Sequence, residues 1–258
     1  MFLSDGLRAL LLATIAGLST MLGALIVLFA KGKNEKLVSM SLGFAAGVMI
    51  SVTFSDLLPN ANLSLCAYAG QAWGIILSIV FLVAGILLAA LLDRLVPHQE
   101  FDPVAGEKPH QDLYRVGFVS MLAIGLHNFP EGIATFMAGF EDATLGISIA
   151  AAIAMHNIPE GITVAMPVYF STGNRKKAVF YTFLSGVAEP IGAALAFLVL
   201  QPFINDILMG AIFAVVSGIM LYIAIEELIP SSRQYGHDRH ALIATFTGIC
   251  IMMLTHIL

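Results

Sequence analysis

The chain has 258 residues, of which 59% are hydrophobic and 11% charged, and its formal net charge is −5. A water-soluble domain carries about 25% charged residues, so this composition excludes a globule covered by polar groups. The mean hydropathy of +0.91 points to lipid as the solvent of most of the surface.

Apolar runs of roughly 20 residues, the length that crosses a bilayer, recur eight times. They are Leu7 to Ala30, Leu37 to Leu58, Trp73 to Leu92, Val116 to Phe140, Thr144 to Phe170, Ala178 to Phe203, Ile207 to Ile229 and Ala241 to Leu258. The first run is long and no small-residue cleavage site follows it, so it reads as a span rather than a secretory leader. The segment 93–115, with Pro97, Pro103 and Pro109 among mixed charges, reads as a loop inside a single membrane domain covering 1–258. Cys66 and Cys250 have neither disulfide nor metal-ligand spacing and read as packing residues.

Basic residues set the orientation. Lys31, Lys33 and Lys36 follow the first span, Arg94, Lys108 and Arg115 the third, Arg175, Lys176 and Lys177 the fifth, and Arg233 and Arg239 the seventh; Arg8 alone falls on the other side. Those loops are expected in the cytoplasm and both termini outside, which makes 93–115 a cytoplasmic loop.

Two segments recur. Gly47 to Pro59 in the second span and Gly218 to Pro230 in the seventh share a glycine, a methionine two residues on, then an acid, two aliphatic residues and a proline. His127-Asn-Phe-Pro-Glu-Gly132 in the fourth span returns as His156-Asn-Ile-Pro-Glu-Gly161 in the fifth. Each pair lies on spans that cross in opposite directions. The expected fold is therefore an all-α membrane protein of eight transmembrane helices in a 3+2+3 arrangement with inverted repeats, an architecture used by secondary transporters.

Ionisable residues inside a span cost about 2.5–3.5 kcal/mol each at its centre. This chain puts His127, Glu131, His156, Glu160 and Glu189 there, and a divalent cation is the natural compensation. His127 and Glu131, like His156 and Glu160, are four residues apart and share a helix face. Asn128 and Asn157 sit beside the histidines. Pro130 and Pro159 leave the carbonyls of Leu126 and Met155 without their usual donors. Imidazole with carboxylate suits Zn2+, Fe2+, Co2+ or Mn2+, whereas Mg2+ and Ca2+ prefer oxygen alone. The six motif side chains exceed the needs of one tetrahedral ion, and two metal positions fit them. Glu189, next to Pro190, reads either as a further ligand or as a histidine's partner. Asp56, Glu226 and Glu227 fit headgroup water and the metal's path equally well. His98 and His110, among loop acids, read as solvated, and His256 as interfacial.

The paired motifs resemble those of the ZIP family of metal transporters, and the resemblance runs over essentially the whole chain. It implies uptake of zinc, with Fe2+, Mn2+, Co2+ and Cd2+ as alternatives, as transported substrate rather than catalytic cofactor. It implies a binuclear site of His127, Asn128, Glu131, His156, Asn157, Glu160 and Glu189. Coupling to protons, a homodimer in the bacterial inner membrane, and an elevator-like motion of spans 1, 4, 5 and 6 are also implied. The loop has two histidines where many relatives are histidine-rich, and Asn stands at 128 and 157 where an Asp would add charge. Besides the metal ions, membrane lipid is an expected partner and nucleic acid is not. Two rivals stand beside this reading: an intramembrane zinc-dependent hydrolase, for which the sequence lacks His-Glu-x-x-His, and a metal-selective channel.

Overall fold

The structure is a computed structural model that describes residues 2–29, 34–95, 110–200 and 205–254. Among the described residues there are eight long helices and no strand. They are α1 (Phe2–Ala24, resumed at Ile26–Phe29), α2 (Glu35–Ala69), α3 (Gln71–Leu95), α4 (His110–Glu141), α5 (Ala143–Thr172), α6 (Arg175–Val199), α7 (Asp206–Arg233) and α8 (Asp238–Leu254).

Helix ends follow local chemistry. Asn34, Asn174 and Asn205 cap α2, α6 and α7, their side chains accepting from the backbone N–H of Leu37, Lys177 and Leu208 at 3.2, 3.1 and 2.9 Å. Gly70, Gly173 and Gly236, at φ of 80°, 67° and 71°, turn the chain after α2, α5 and α7.

Six of the helices are long and apolar enough to cross a membrane: α1, α2, α3, α5, α6 and α7. The two that fall short do so for identifiable reasons. In α4 the apolar run is interrupted by His127, Asn128 and Glu131, and α8 has 17 described residues. The segment expected as a loop, 93–115, is shorter at both ends, because α3 continues to Leu95 and α4 begins at His110. His98 and His256 lie outside the described residues.

Two groups of helices pack internally. One consists of α1, α4, α5 and α6, the other of α2, α3, α7 and α8, and α2 against α5 is the main contact between them. Within each group backbones touch. A Cβ on Gly132 of α4 would overlap the carbonyl oxygen of Glu189 in α6, and one on Gly192 of α6 that of Phe129 in α4. Gly161 and Gly23 make the same kind of contact between α5 and α1, through Thr20 and Ile158. In the second group Gly85 and Gly218 join α3 to α7, and Gly47 and Gly248 join α2 to α8. Small residues at such crossings let helices approach where lipid offers no hydrophobic drive.

α2 and α7 each contain one π-helical turn, Thr53–Leu57 and Ile223–Leu228. In both, the residue before a proline donates across five residues, Leu58 N–H to the Thr53 carbonyl and Ile229 N–H to that of Ala224. Pro59 and Pro230 lack the N–H that would continue the α pattern, and the wider turn carries the acidic residues Asp56, Glu226 and Glu227.

Candidate metal centre

α4 and α5 run antiparallel, separated by the single residue Asp142. Pro130 and Pro159 sit inside them without ending either helix. This brings the two motifs face to face. Glu131 Oε1 lies 2.9 Å from His156 Nε2 and 3.1 Å from His127 Nε2, while Glu160 Oε1 is 3.3 Å from His127 Nε2. The imidazole rings of His127 and His156 are 6.3 Å apart between centroids. One ligand atom from each of His127, Glu131 and His156 fits within a 4.8 Å cluster, the dimension of a metal site.

Asn157 Nδ2 donates to Glu189 Oε2 at 2.8 Å and to the Ala16 carbonyl of α1 at 2.9 Å. Asn128 Nδ2 donates to the Ser185 carbonyl of α6 at 3.1 Å. Both asparagines therefore turn their donors to neighbouring helices and keep their oxygens for the interior. All seven expected ligands are at most 5% exposed. Several of their acceptor atoms lack a hydrogen-bond partner: Glu131 Oε2, both oxygens of Glu160, Glu189 Oε1, and Oδ1 of Asn128 and Asn157. Buried oxygens in this state are costly unless something positive meets them, and a donor set of two imidazoles, three carboxylates and two amide oxygens fits a borderline cation.

A cavity of about 270 Å3 reaches the cluster from one side. Glu131 and His156 form its floor, and Asp56, Asn60, Ile149, Phe213 and Met252 are among its walls. Toward the other end of α4 and α5, one turn from His127 and Glu160, Ile124 and Val164 are buried against each other together with Met121.

The expected acids separate here. Asp56, which accepts from Ser55 Oγ at 3.0 Å, lines the cavity. Its counterpart in the repeated segment, Glu227, pairs instead with Arg115 at 3.0 Å, away from the cluster; Arg115 also pairs with Asp93, which accepts from Tyr222 Oη at 3.2 Å. Glu226 is exposed. Sequence reasoning missed Asn60, the carbonyls of Ala16 and Ser185, and the Asp93–Arg115–Glu227 group. The opposite charges of Asp93 and Arg115 at the two ends of one loop were its available signal. Cys66 and Cys250 are free cysteines.

The helix ends sort by face. The starts of α2 and α8 pack together, a Cβ on Gly43 meeting the Ala241 carbonyl, and the nearby Lys36 charge holds the exposed His240 below the usual imidazole range. Arg175 Nε donates to the Val27 carbonyl at the end of α1, at 3.1 Å. Arg8 Nη2 donates to the Gly139 carbonyl, near the end of α4, at 2.9 Å.

Residues 97–256 match the family model described as ZIP Zinc transporter. The chain is 44% identical to the zinc transporter ZupT of Oceanobacillus iheyensis, over 98% of each chain. It is 43% identical to that of Streptococcus mutans, over 97% of each. With the ZupT of Campylobacter jejuni it shares 39% identity over 96% of this chain and 94% of the relative.

Proposed function

The chain belongs to the ZIP zinc transporter family, and on that premise we propose that it takes up zinc, and with it Fe2+, Mn2+, Co2+ or Cd2+, by alternating access. It is an integral membrane transporter and not an enzyme. The observation that carries the proposal is the buried His127–Glu131–His156 cluster, whose Glu131 and His156 line a cavity, with the apolar Ile124 and Val164 packed one turn beyond it. A site that a cavity reaches from one side, with apolar packing beyond it, suits a carrier better than a continuous pore.

In this reading the ion passes Asp56 and Asn60, binds between α4 and α5, and leaves at the inner face once the bundle of α1, α4, α5 and α6 has shifted against the other. The two packing groups and their narrow contact support such a motion. A second ion position, framed by Glu160, Glu189, Asn128 and Asn157 and sharing a carboxylate with the first, is supported by their unpartnered oxygens. Protonation of the same carboxylates would eject the metal and couple uptake to protons.

The full arrangement belongs to the proposal: eight spans, three on either side of the α4–α5 pair, with inverted repeats, both termini outside the bacterial inner membrane, and two copies per assembly. The matched π turns and the reciprocal glycine contacts support the repeats. The contact of Arg175 at the start of α6 with the end of α1, and the packing of the start of α2 against the start of α8, with Arg8 at the far end of α1, support the orientation.

Uptake of radioactive zinc by purified protein in metal-depleted proteoliposomes tests the reading. Saturable uptake that competing transition metals inhibit, and that Glu131→Ala and Glu160→Ala abolish, is expected. Wild-type rates in both variants would overturn it.

A further inference from the structure

The contacts around the site repeat between its two halves. Asn157 of α5 donates to the carbonyl of Ala16 in α1, and Asn128 of α4 to that of Ser185 in α6. A Cβ on Gly161 would meet the Thr20 carbonyl, and one on Gly132 the Glu189 carbonyl; Gly23 faces Ile158 as Gly192 faces Phe129. Gly17 and Gly186 each face the other's carbonyl, at 2.7 and 2.6 Å from the added Cβ. In every pair the α5 residue follows its α4 counterpart by the offset that separates His156 from His127. The α6 residue follows its α1 counterpart by a second constant offset. The residue that this correspondence sets against Glu189 is Thr20.

Thr20 is wholly buried and its hydroxyl has no partner. Ser39, Ser78 and Ser120 share that state, but among the buried threonines described Thr20 stands apart. Thr14, Thr53, Thr135 and Thr182 each donate to the carbonyl four residues earlier in their own helix, the ordinary resort of a helical threonine. For Thr20 that carbonyl belongs to Ala16, which accepts from Asn157 Nδ2 at 2.9 Å and lies 2.6 Å from Ser19 Oγ, a hydroxyl that also reaches the Ala154 carbonyl at 3.0 Å. The same asparagine thus holds Glu189 and the carbonyl that Thr20 would otherwise use, and the Thr20 hydroxyl lies without a partner between α1 and α6, 3.3 Å from the place of a Cβ on Gly186.

We propose that Thr20 is a further contact of the carried ion, supplying a neutral oxygen at the position that the pseudo-twofold relates to the Glu189 carboxylate. The inference rests on the metal-carrying reading above and adds α1 to the helices that touch the cargo. A hydroxyl there in place of a fourth carboxylate limits the negative charge that holds the metal, and so favours its release. It also makes the two halves of the site chemically unequal.

The test compares Thr20→Val, Thr20→Ser and Glu131→Ala by two readouts: the zinc-induced rise in unfolding temperature and the zinc concentration at half-maximal uptake. Without zinc, Thr20→Val should be at least as stable as the parent, because an isosteric methyl replaces an unsatisfied buried hydroxyl. Its half-maximal zinc concentration should rise about twofold to tenfold and its zinc-induced shift shrink, while Thr20→Ser keeps both near the parent. Where valine is not tolerated, Thr20→Ala removes the hydroxyl without adding volume and gives the same readout. Parent-like zinc responses in the valine and alanine variants overturn the inference, as does a serine variant as impaired as they are. If Glu131→Ala also binds zinc normally, it is the metal-carrying reading itself that fails.

Discussion

Glu131 Oε1 on α4 lies 2.9 Å from His156 Nε2 on α5, so one carboxylate oxygen ties together two helices that run in opposite directions. The same oxygen is 3.1 Å from His127 Nε2. Glu131→Gln keeps the volume and removes the charge that a cation needs. Zinc uptake in proteoliposomes should fall by roughly 100-fold, and His156→Ala should do the same. Retention of half the uptake in Glu131→Gln would mean that the carboxylate is not a ligand.

Acid should weaken the site. Imidazole and carboxylate ligands bind metal in their deprotonated forms, so zinc binding releases protons and its affinity drops as pH falls. Titration calorimetry in buffers of different ionisation enthalpy measures that release directly. An affinity independent of pH, with no proton exchanged, would contradict the assignment of His127, Glu131 and His156.

Asp56 stands in the cavity wall above the cluster. As a charge near the path rather than under the ion, it should act on capture. Asp56→Asn is expected to raise the half-saturating zinc concentration roughly threefold to tenfold, with the maximal rate little changed. A collapse of the maximal rate at unchanged half-saturation would place Asp56 in the moving step instead.

Gly132 meets the backbone of Glu189 with no room for a side chain. Gly132→Ala must push α4 and α6 apart, at a cost of about 1–3 kcal/mol, and the displaced Glu189 should lower zinc affinity as well. Thermal unfolding and zinc binding measure the two effects. An alanine at Gly173, where the added atom meets nothing, should leave zinc affinity untouched and disturb only the local φ of 67°.

The side chains of Arg115, Asp93 and Glu227 are 11%, 8% and 6% exposed. Arg115→Met strands two buried acids and should cost on the order of 3 kcal/mol of stability. Replacing all three by Met, Asn and Gln should recover much of the loss, because no uncompensated charge remains. The unfolding temperatures of the single and triple variants decide this. A triple variant as unstable as the single would show that packing, not charge, holds α4 to α3 and α7 there.

Much of this architecture was legible because membrane sequences are written in local terms. Apolar length locates the long helices, and a motif repeated on neighbouring helices picks out the buried His127–Glu131–His156 cluster. The α4 helix was expected from the same apolar count that its own His127, Asn128 and Glu131 depress, since these buried polar residues make the helix less apolar. What stayed hidden depends on partners far apart in the chain. Asp93 and Arg115 looked like loop charges because nothing local says that both helices extend into the loop and meet Glu227. Thr20 looked like any small residue in an apolar run. Its distinction lies in what Ser19 and Asn157 do to the carbonyl of Ala16, and no periodicity records that.

The cavity lined by Glu131 and His156, at about 270 Å3, far exceeds the roughly 10–15 Å3 that a single water needs. On the proposed carrier reading, a hydrated ion would exchange waters for nitrogen and oxygen ligands where the cavity meets the histidines. On that reading the lining of Glu131 and His156 would act as a dehydration filter. Mg2+ gives up its waters reluctantly and gains little from imidazole, so it should be turned back there by the cost of undressing rather than by its size or charge.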